Sequence, residues 1–164
     1  MSHRQSFSTE GHVHFLTFSC WQRRQFLRFP HEIATCLTHL DRAREIEQFD
    51  LWAYVVMPEH VHLLIRPRSD VYSMAQILRR IKEACARDIL SDWRTNAPER
   101  MPGTVDSTRG PIGHRFWQPG GGYDRNLYSE DKIERAVEYV EWNPVRRELV
   151  ADPLQWPWSS ARAR

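Results

Sequence analysis

The chain has 164 residues, of which 41% are hydrophobic and 27% are charged, with a formal net charge of +2. This length predicts a single domain over residues 1–164. The charged fraction argues against a membrane protein. In addition, no segment approaches the ~20 consecutive apolar residues that a spanning helix needs. The chain contains three cysteines, widely spaced, which favour reduced thiols in the cytoplasm over a disulfide framework.

The 23 basic residues are almost all arginine, since the lysines are Lys82 and Lys132 alone. The guanidinium group binds phosphate and stacks on bases, and 12% of the residues are aromatic. This composition is compatible with nucleic-acid binding. A genome of high GC content, which encodes arginine in place of lysine, is the alternative explanation.

The first elements follow in a regular order. Residues 1–10 are polar and predict a mobile N-terminus, and residues 12–19 alternate as a strand. Pro30 then opens a helical pattern with apolar residues every three or four positions. These residues are Ile33, Cys36, Leu37, Leu40, Ala43 and Ile46.

Residues 52–66 form two apolar runs separated by Met57-Pro58-Glu59, which predicts an antiparallel hairpin. A second helix follows with a buried stripe, formed by Met74, Ile77, Leu78, Ile81, Cys85 and Ile89. Several cations lie off this stripe, namely Arg79, Arg80, Lys82 and Arg87. They indicate either a phosphate-binding side or an ordinary solvated helix face.

From about residue 94 to 113 the periodicity is lost, which predicts a long loop. Residues 116–127 predict one short strand, or two, interrupted by Gly120-Gly121-Gly122. Ser129 is a candidate N-cap for a last helix, which should end at Trp142 because the next residue precedes a proline. Residues from about 145 to 164 form a basic, tryptophan-containing C-terminal tail.

His60 and His62 lie at positions i and i+2 of a predicted strand, so their imidazoles should lie side by side on one face. Such a pair is half of a metal site. His12 and His14 have the same spacing, and spacing alone cannot choose between the pairs. The second pair is favoured because it lies between apolar runs, where buried polar rings cost free energy unless they have partners.

The polar side of the last helix carries residues at steps of three and four, namely Lys132, Arg135, Tyr139, Asn143 and Arg146. Tyr139 therefore has cations one turn before it and an amide one turn after it. Such a phenol is a candidate nucleophile toward phosphorus, and a divalent metal on His60 and His62 with a third oxygen ligand would neutralise the phosphate charge. An ordinary half-buried tyrosine is the alternative.

Four segments together resemble the single-tyrosine HUH transposases. Met57–Leu64 resembles their HUH segment, and Phe116–Pro119 resembles their Trp-Gln motif. Glu138–Val145 is similar to their Tyr-Ile-x-x-Asn-Pro-Val helix end. Trp156–Ser160 is similar to the Trp-Pro-x-Ser-Ser ending of the branch called REP-associated tyrosine transposases.

The resemblance implies an α+β, ferredoxin-like fold, with an antiparallel β-sheet and helices packed mainly on one face. It implies that His60 and His62 bind Mg²⁺ or Mn²⁺, with Asn143 as a candidate third ligand. Tyr139 would attack single-stranded DNA and form a 5′-phosphotyrosine link. The implied substrate is a hairpin-forming repeat, on which a monomer or homodimer would act in the cytoplasm, associated with the nucleoid.

The expected DNA contacts are Arg23, Arg24, Arg79, Arg80, Lys82, Arg87 and Arg135.

Two features depart from the resemblance. Gly120-Gly121-Gly122 replaces bulkier residues and would loosen the link to the Tyr139 helix. Glu59 stands where asparagine is usual, and a turn-capping role is favoured over a place in the metal shell.

Three functions remain open at this point. The enzyme is favoured because His60, His62 and Tyr139 are all present. A catalytically silent hairpin-binding regulator would not need all three. A metal-dependent hydrolase would use water in place of Tyr139, and Tyr123 is a rival nucleophile within the enzyme hypothesis.

Overall fold

The computed structural model describes residues 12–111 and 113–163, so the predicted mobility of residues 1–10 lies outside the described part. The elements are β1 (Val13–Ser19), α1 (Pro30–Glu47), β2 (Phe49–Val56), β3 (His60–Pro67), α2 (Met74–Asn96), β4 (Tyr123–Leu127), α3 (Glu130–Glu141) and a single turn, α4 (Asn143–Arg146). The four strands are antiparallel in the order β2-β3-β1-β4. This βαββαβ unit confirms the ferredoxin-like α+β fold.

The sheet has two different faces, because successive strand residues point to opposite sides. On one face Leu16, Phe18 and Leu63 pack with the buried sides of α1 and α2. On the other face Val55 and Leu64 pack with the apolar residues of α3. The two longest helices thus share one face, and the helix that carries the candidate nucleophile lies on the opposite one.

The predicted stripes of α1 and α2 are buried, with Leu37 only partly buried and Ile46 as the exception. Ile46 in α1 is 60% exposed, so its assignment to the core was wrong. The stripe continues instead at Glu47, whose carboxylate accepts a hydrogen bond from Arg80 of α2. Glu47 lies four positions after the buried Ala43, and a four-residue step stays on the same side of a helix.

The predicted long loop contains more structure than its sequence indicates. Helix α2 continues to Asn96, and short 3-10 segments follow at Pro98–Thr104 and Ser107–Arg109. The buried Asp106 carboxylate organises this region by accepting hydrogen bonds from the Thr108 backbone and side chain and from Arg115.

Among the described residues, no helix is long and apolar enough to cross a bilayer.

The C-terminal tail covers the free edge of β2. The Val56 N–H donates to the Trp158 carbonyl at 2.9 Å, and the Trp156 indole donates to the Val56 carbonyl at 3.0 Å. Ser160 Oγ accepts from the Tyr54 N–H at 3.1 Å and lies 3.0 Å from Glu141 Oε1. The tail therefore satisfies backbone groups that an edge strand leaves unpaired, and it joins β2 to the end of α3.

Ser160→Ala is expected to lower the free energy of unfolding by about 1–3 kcal/mol, because the Tyr54 N–H loses its acceptor. Urea denaturation followed by tryptophan fluorescence measures the change. Ser91→Ala, at an exposed position of α2, is the control and should change it by no more than about 0.5 kcal/mol. Equal effects of the two substitutions would contradict a tail that is bound through Ser160.

Candidate metal and nucleophile site

His60 and His62 lie on the central strand β3 and point to the face covered by α3. Both are buried, with 4% and 5% of their surface exposed. Their Nε2 atoms are 3.0 Å apart, with the ring centroids separated by 4.5 Å. The turn before them is closed by the Met57 N–H, which donates to the His60 carbonyl at 2.8 Å. The strand thus holds both rings in a fixed arrangement.

The other ring nitrogens already have protein partners. His60 Nδ1 is 3.1 Å from Glu59 Oε1, and His62 Nδ1 is 2.7 Å from Thr17 Oγ1. Thr17 of β1 lies directly opposite His62 in the strand register. The Glu59 carboxylate can only accept, so it favours the Nδ1–H tautomer of His60, and the Thr17 hydroxyl is able to accept the corresponding proton of His62. Both Nε2 lone pairs then point into the same small space.

The electrostatic surroundings keep both rings neutral. Burial lowers the pKa of His60, against the opposing effect of the Glu59 carboxylate. Burial, reinforced by His60 and Arg23, lowers the pKa of His62 to about 3. A neutral imidazole is the form that binds a metal ion, so the pair is in its ligating form at neutral pH.

Asn143 brings an amide to the same place. It begins α4, is 5% exposed, and its Nδ2 lies 3.3 Å from His62 Nε2. Its Oδ1 is buried without a hydrogen-bond partner, although buried polar atoms are rarely left unsatisfied. A half-turn of the amide would direct this oxygen toward the imidazoles.

The donor set fits a divalent cation. Two lone pairs 3.0 Å apart repel each other in the absence of a positive charge, and an octahedral ion with ligands at ~2.1 Å places neighbouring ligand atoms about 3 Å apart. In residues 12–111 and 113–163 no three His, Cys, Asp or Glu side chains form a metal-binding group. The third protein ligand would therefore be the orphaned oxygen of Asn143. Two imidazoles and an oxygen suit Mn²⁺, and waters would complete the shell of Mg²⁺.

Tyr139 of α3 lies beside this pair. Its ring centroid is 5.5 Å from that of His62 and 5.9 Å from that of Phe15. The side chain is 41% exposed, and the Arg146 guanidinium lies 4.9 Å from its ring centroid. The phenol is therefore accessible to a substrate while it remains next to the candidate metal ligands. The rival Tyr123 contacts Phe15 at 6.1 Å.

The junction of α3 and α4 explains how Tyr139 and Asn143 reach one site. Helix α3 ends at Glu141, one residue before the predicted end, and Trp142 keeps a helical backbone with φ −85° and ψ −2°. Pro144 fits the first turn of α4 because the amide hydrogen it lacks has no acceptor there. The chain thus continues in nearly helical form, and the four-residue spacing keeps both side chains on one side.

His14 does not belong to a second metal pair. It is fully buried on the opposite face of the sheet, with Nδ1 2.9 Å from Asp124 Oδ1 and Nε2 2.7 Å from the Tyr72 hydroxyl. Both of its nitrogens are used within the protein, so His14 has a structural role in the core. This difference separates two pairs that have the same spacing in the sequence.

The expected DNA contacts fall into separate groups. Arg23 lies beside the site, 3.8 Å from Glu59, and Arg24 follows it with its Nε 3.4 Å from Gln22 Oε1. Arg135 is exposed on α3 and pairs weakly with Asp131 at 4.0 Å. The others lie on α2, which packs on the opposite face of the sheet, and these are Arg79, Arg80, Lys82 and Arg87.

Two of the α2 cations already have internal partners. Arg80 pairs with Glu47. Lys82 Nζ donates to the carbonyls of Gln118 at 3.2 Å and Gly120 at 2.8 Å, and burial lowers its pKa. These contacts give both side chains a structural role, which their positions in the sequence did not indicate.

Three residues of the site were missed or misinterpreted in the sequence. The Glu59 side chain contacts His60 and, at 2.9 Å, Arg147, so the turn-capping interpretation was wrong. The backbone carbonyl of Glu59 fixes the turn instead, by accepting from the Cys20 N–H at 2.9 Å. Thr17 had only a weak signal, as a polar residue within an apolar strand. No sequence pattern indicated a role for Arg147, which lies two residues after the Asn-Pro-Val motif.

The glycine run has a packing role. Gly122 has φ +72°, and an added Cβ would lie 2.1 Å from the Thr17 carbonyl oxygen. Only glycine permits this approach, which brings Tyr123 of β4 opposite Thr17 of β1. Gly122 therefore makes a close contact with β1, and the looser link of the run to the Tyr139 helix stays a prediction.

Fold and side chains together define a protein of the single-tyrosine transposase class. The sequence model described as "Transposase IS200 like" matches residues 8–143, and the chain belongs to this family. A comparison with curated proteins finds no match.

Two solved structures are similar to the chain. One is a REP-associated tyrosine transposase bound to a REP hairpin, with a TM-score of 0.70 and 20% identity over 98% of this chain and 82% of that one. The other is a protein from Deinococcus radiodurans R1 for which a transposase function has been suggested. It has a TM-score of 0.52 and 20% identity over 86% of this chain and 96% of that one. At this identity the two structures establish the shared fold.

The lowered pKa of His62 predicts a pH effect on stability in the presence of EDTA. The unfolded chain binds a proton on this histidine below pH ~6.5, whereas the folded protein does so only near pH 3. Stability therefore falls as the pH decreases through this range. His62→Gln should lose less unfolding free energy between pH 7 and pH 4 than the wild type, by more than about 1 kcal/mol.

Urea denaturation at several pH values measures this difference. His31→Gln is the control, because the His31 side chain is 64% exposed and should leave the pH dependence close to that of the wild type. An unchanged pH dependence in His62→Gln would contradict a buried, neutral His62.

Proposed function

We propose that this chain is a metal-dependent single-strand DNA endonuclease and strand transferase of the REP-associated tyrosine transposase branch. The observation that carries the proposal is the convergence of His60, His62 and Asn143 with Tyr139 within one chain. Cleavage of a phosphodiester by a tyrosine requires an accessible phenol next to groups that compensate the phosphate charge. The arrangement described above provides both.

The proposed substrate is single-stranded DNA that forms a hairpin. One protein with this fold was solved with a REP hairpin, and the similarity extends over 98% of the present chain. Cations also lie beside the candidate site, with Arg23 3.8 Å from Glu59 and Arg146 over the Tyr139 ring. Such side chains would bind the phosphates on either side of the cleaved bond.

In the proposed reaction, the Tyr139 oxygen attacks phosphorus and releases its proton to solvent. The bond from phosphorus to the 3′ oxygen breaks, and that oxygen takes up a proton to leave a free 3′-OH. The product is a 5′-phosphotyrosine, so one phosphodiester replaces another and rejoining requires no ATP. Mg²⁺ or Mn²⁺ bound by His60, His62 and Asn143 would neutralise charge on the phosphate.

We infer that the nucleophile acts on the site of its own chain, because Tyr139 contacts His62 of the same chain at 5.5 Å. A monomer would then be sufficient for cleavage, and a homodimer would contain two complete sites. A function on DNA repeats agrees with the cytoplasmic, nucleoid-associated location expected from the sequence.

A denaturing gel tests the proposal. The probe is a single-stranded oligonucleotide, labelled at its 3′ end, that contains a hairpin-forming inverted repeat with single-stranded flanks, incubated with the protein and Mn²⁺. The wild type should convert the label into a covalent protein–DNA adduct. Tyr139→Phe should abolish the adduct, since it removes the attacking oxygen, and His60→Ala should reduce it by at least about a hundredfold.

Matched variants distinguish the alternatives. Tyr123→Phe tests the rival nucleophile, and Tyr128→Phe, at a position that is 65% exposed, is the control that should leave the adduct unchanged. Cleavage that survives in Tyr139→Phe without a covalent adduct would indicate a hydrolase that uses water. Tight hairpin binding with no cleavage by the wild type would indicate a silent binding module.

The separation of the cations predicts different effects on DNA affinity. Arg23→Gln should weaken hairpin binding and reduce the slope of log K against log salt by about one phosphate contact. Arg80→Gln should change the slope much less, because the Arg80 guanidinium is already paired with Glu47. Fluorescence anisotropy between about 50 and 200 mM salt measures both slopes. Equal losses would contradict the internal role of Arg80.

A further inference from the structure

Glu59 is a buried charged residue to which the proposed reaction gives no task. It is 5% exposed, and its Oε1 lies 3.1 Å from His60 Nδ1, 2.9 Å from Arg147 Nη2 and 3.8 Å from Arg23 Nη2. A buried carboxylate is costly unless its partners compensate for lost hydration. Its partners come from three separate parts of the chain, which Glu59 brings together.

The backbone fixes the position from which this carboxylate acts. The carbonyl of Glu59 accepts from the Cys20 N–H at 2.9 Å, and that of Pro58 accepts from the Leu27 N–H at 2.9 Å. The turn before β3 is thereby anchored to the segment that follows β1. The Glu59 carboxylate therefore contacts His60 and Arg147 from a turn whose backbone is fixed.

We propose that Glu59 is a positioning residue with two roles. Its carboxylate accepts the Nδ1–H of His60 and so keeps Nε2 free to bind a divalent cation. It also binds Arg147 and thereby holds the segment that begins at Asn143 against β3. This inference rests on the proposed function, because it concerns the same metal site.

The first role follows from the contact between the two histidines. If His60 carried its proton on Nε2, that N–H would donate to His62 Nε2, which is only 3.0 Å away. Such a hydrogen bond would occupy both positions needed for a metal ion. A carboxylate at Nδ1 can only accept, so it draws the proton to Nδ1 and disfavours this self-blocked pair.

The second role follows from the short length of α4. A helix of four residues is too short to be stable without other contacts. The Arg147 N–H donates to the Asn143 carbonyl at 3.0 Å, and the Leu149 N–H donates to the Pro144 carbonyl at 2.9 Å. The ion pair between Arg147 and Glu59 therefore connects the backbone of Asn143 to the turn that carries His60.

Two substitutions at Glu59 separate these roles. Glu59→Gln keeps an oxygen that accepts the His60 Nδ1–H but removes the charge that binds Arg147. Glu59→Ala removes both interactions. Arg147→Met leaves the His60 contact intact and removes only the ion pair. Glu134→Gln, at an exposed position of α3, is the control for loss of a carboxylate elsewhere.

Mn²⁺ binding by the full-length protein, measured by calorimetry without DNA, tests the first role. Glu59→Ala should weaken Mn²⁺ binding about 10- to 100-fold, as expected for loss of a group that orients a ligand. Glu59→Gln should stay within about threefold of the wild type, since the acceptor is kept. A loss in Glu59→Gln as large as that in Glu59→Ala, with Arg147→Met binding Mn²⁺ like the wild type, would overturn the hydrogen-bonding role.

Hydrogen exchange tests the second role. The amides of residues 147 and 149 should exchange about tenfold faster in both Glu59→Gln and Arg147→Met, because local opening of α4 becomes easier. Glu134→Gln should leave their rates unchanged. Unchanged rates in the first two variants would overturn this role, and this comparison decides it even if Glu59→Ala does not fold.

His60→Ala separates failure of this inference from failure of the proposed function. If His60→Ala binds Mn²⁺ like the wild type, the metal site itself is wrong and the proposed function fails. If His60→Ala loses Mn²⁺ binding while a folded Glu59→Ala retains it, the role of Glu59 is overturned and the proposed function stands.

Discussion

The site depends on two imidazole lone pairs that face each other, with the Nε2 atoms of His60 and His62 3.0 Å apart. This contact is unfavourable unless a proton or a cation lies between the rings. Burial lowers the pKa of both histidines and so opposes an added proton. The Glu59 carboxylate at His60 Nδ1 disfavours the neutral tautomer that would place the His60 proton between the rings, and Thr17 lies at the outer nitrogen of His62. The divalent cation of the proposed function would complete the arrangement by binding both lone pairs.

The ferredoxin-like sheet makes this arrangement possible because the main hydrophobic core and the candidate site lie on its opposite faces. Leu63 and its neighbours face α1 and α2 and provide most of the core. His60 and His62 point the other way, where α3 covers a smaller apolar patch around Leu64. Because α3 contributes only to this smaller cluster, Tyr139 can remain partly exposed without loss of the main core.

The sequence predicted those features that depend on local spacing. The shared face of His60 and His62 follows from strand geometry, and the shared side of Tyr139 and Asn143 follows from helix geometry. The contact of Thr17 with His62 depends on strand register, and that of Glu59 with Arg147 depends on how distant segments pack. No local pattern contains this information. For the same reason, the charges of Arg80 and Lys82 could not be distinguished from free cations, because their partners lie in other elements.

The four segments that carry the family resemblance form one connected structure, in which only two supply the proposed chemistry. Trp117 donates its indole N–H to the Lys82 carbonyl at 3.0 Å, and the Gln118 N–H donates to the Ser19 carbonyl at 2.8 Å, so the Trp-Gln segment fixes the end of β1. Ser160 of the last segment joins β2 to the end of α3. These two segments hold the strand that bears Thr17 and the helix that bears Tyr139. The geometry of the few residues in the proposed site therefore depends on contacts made over most of the chain.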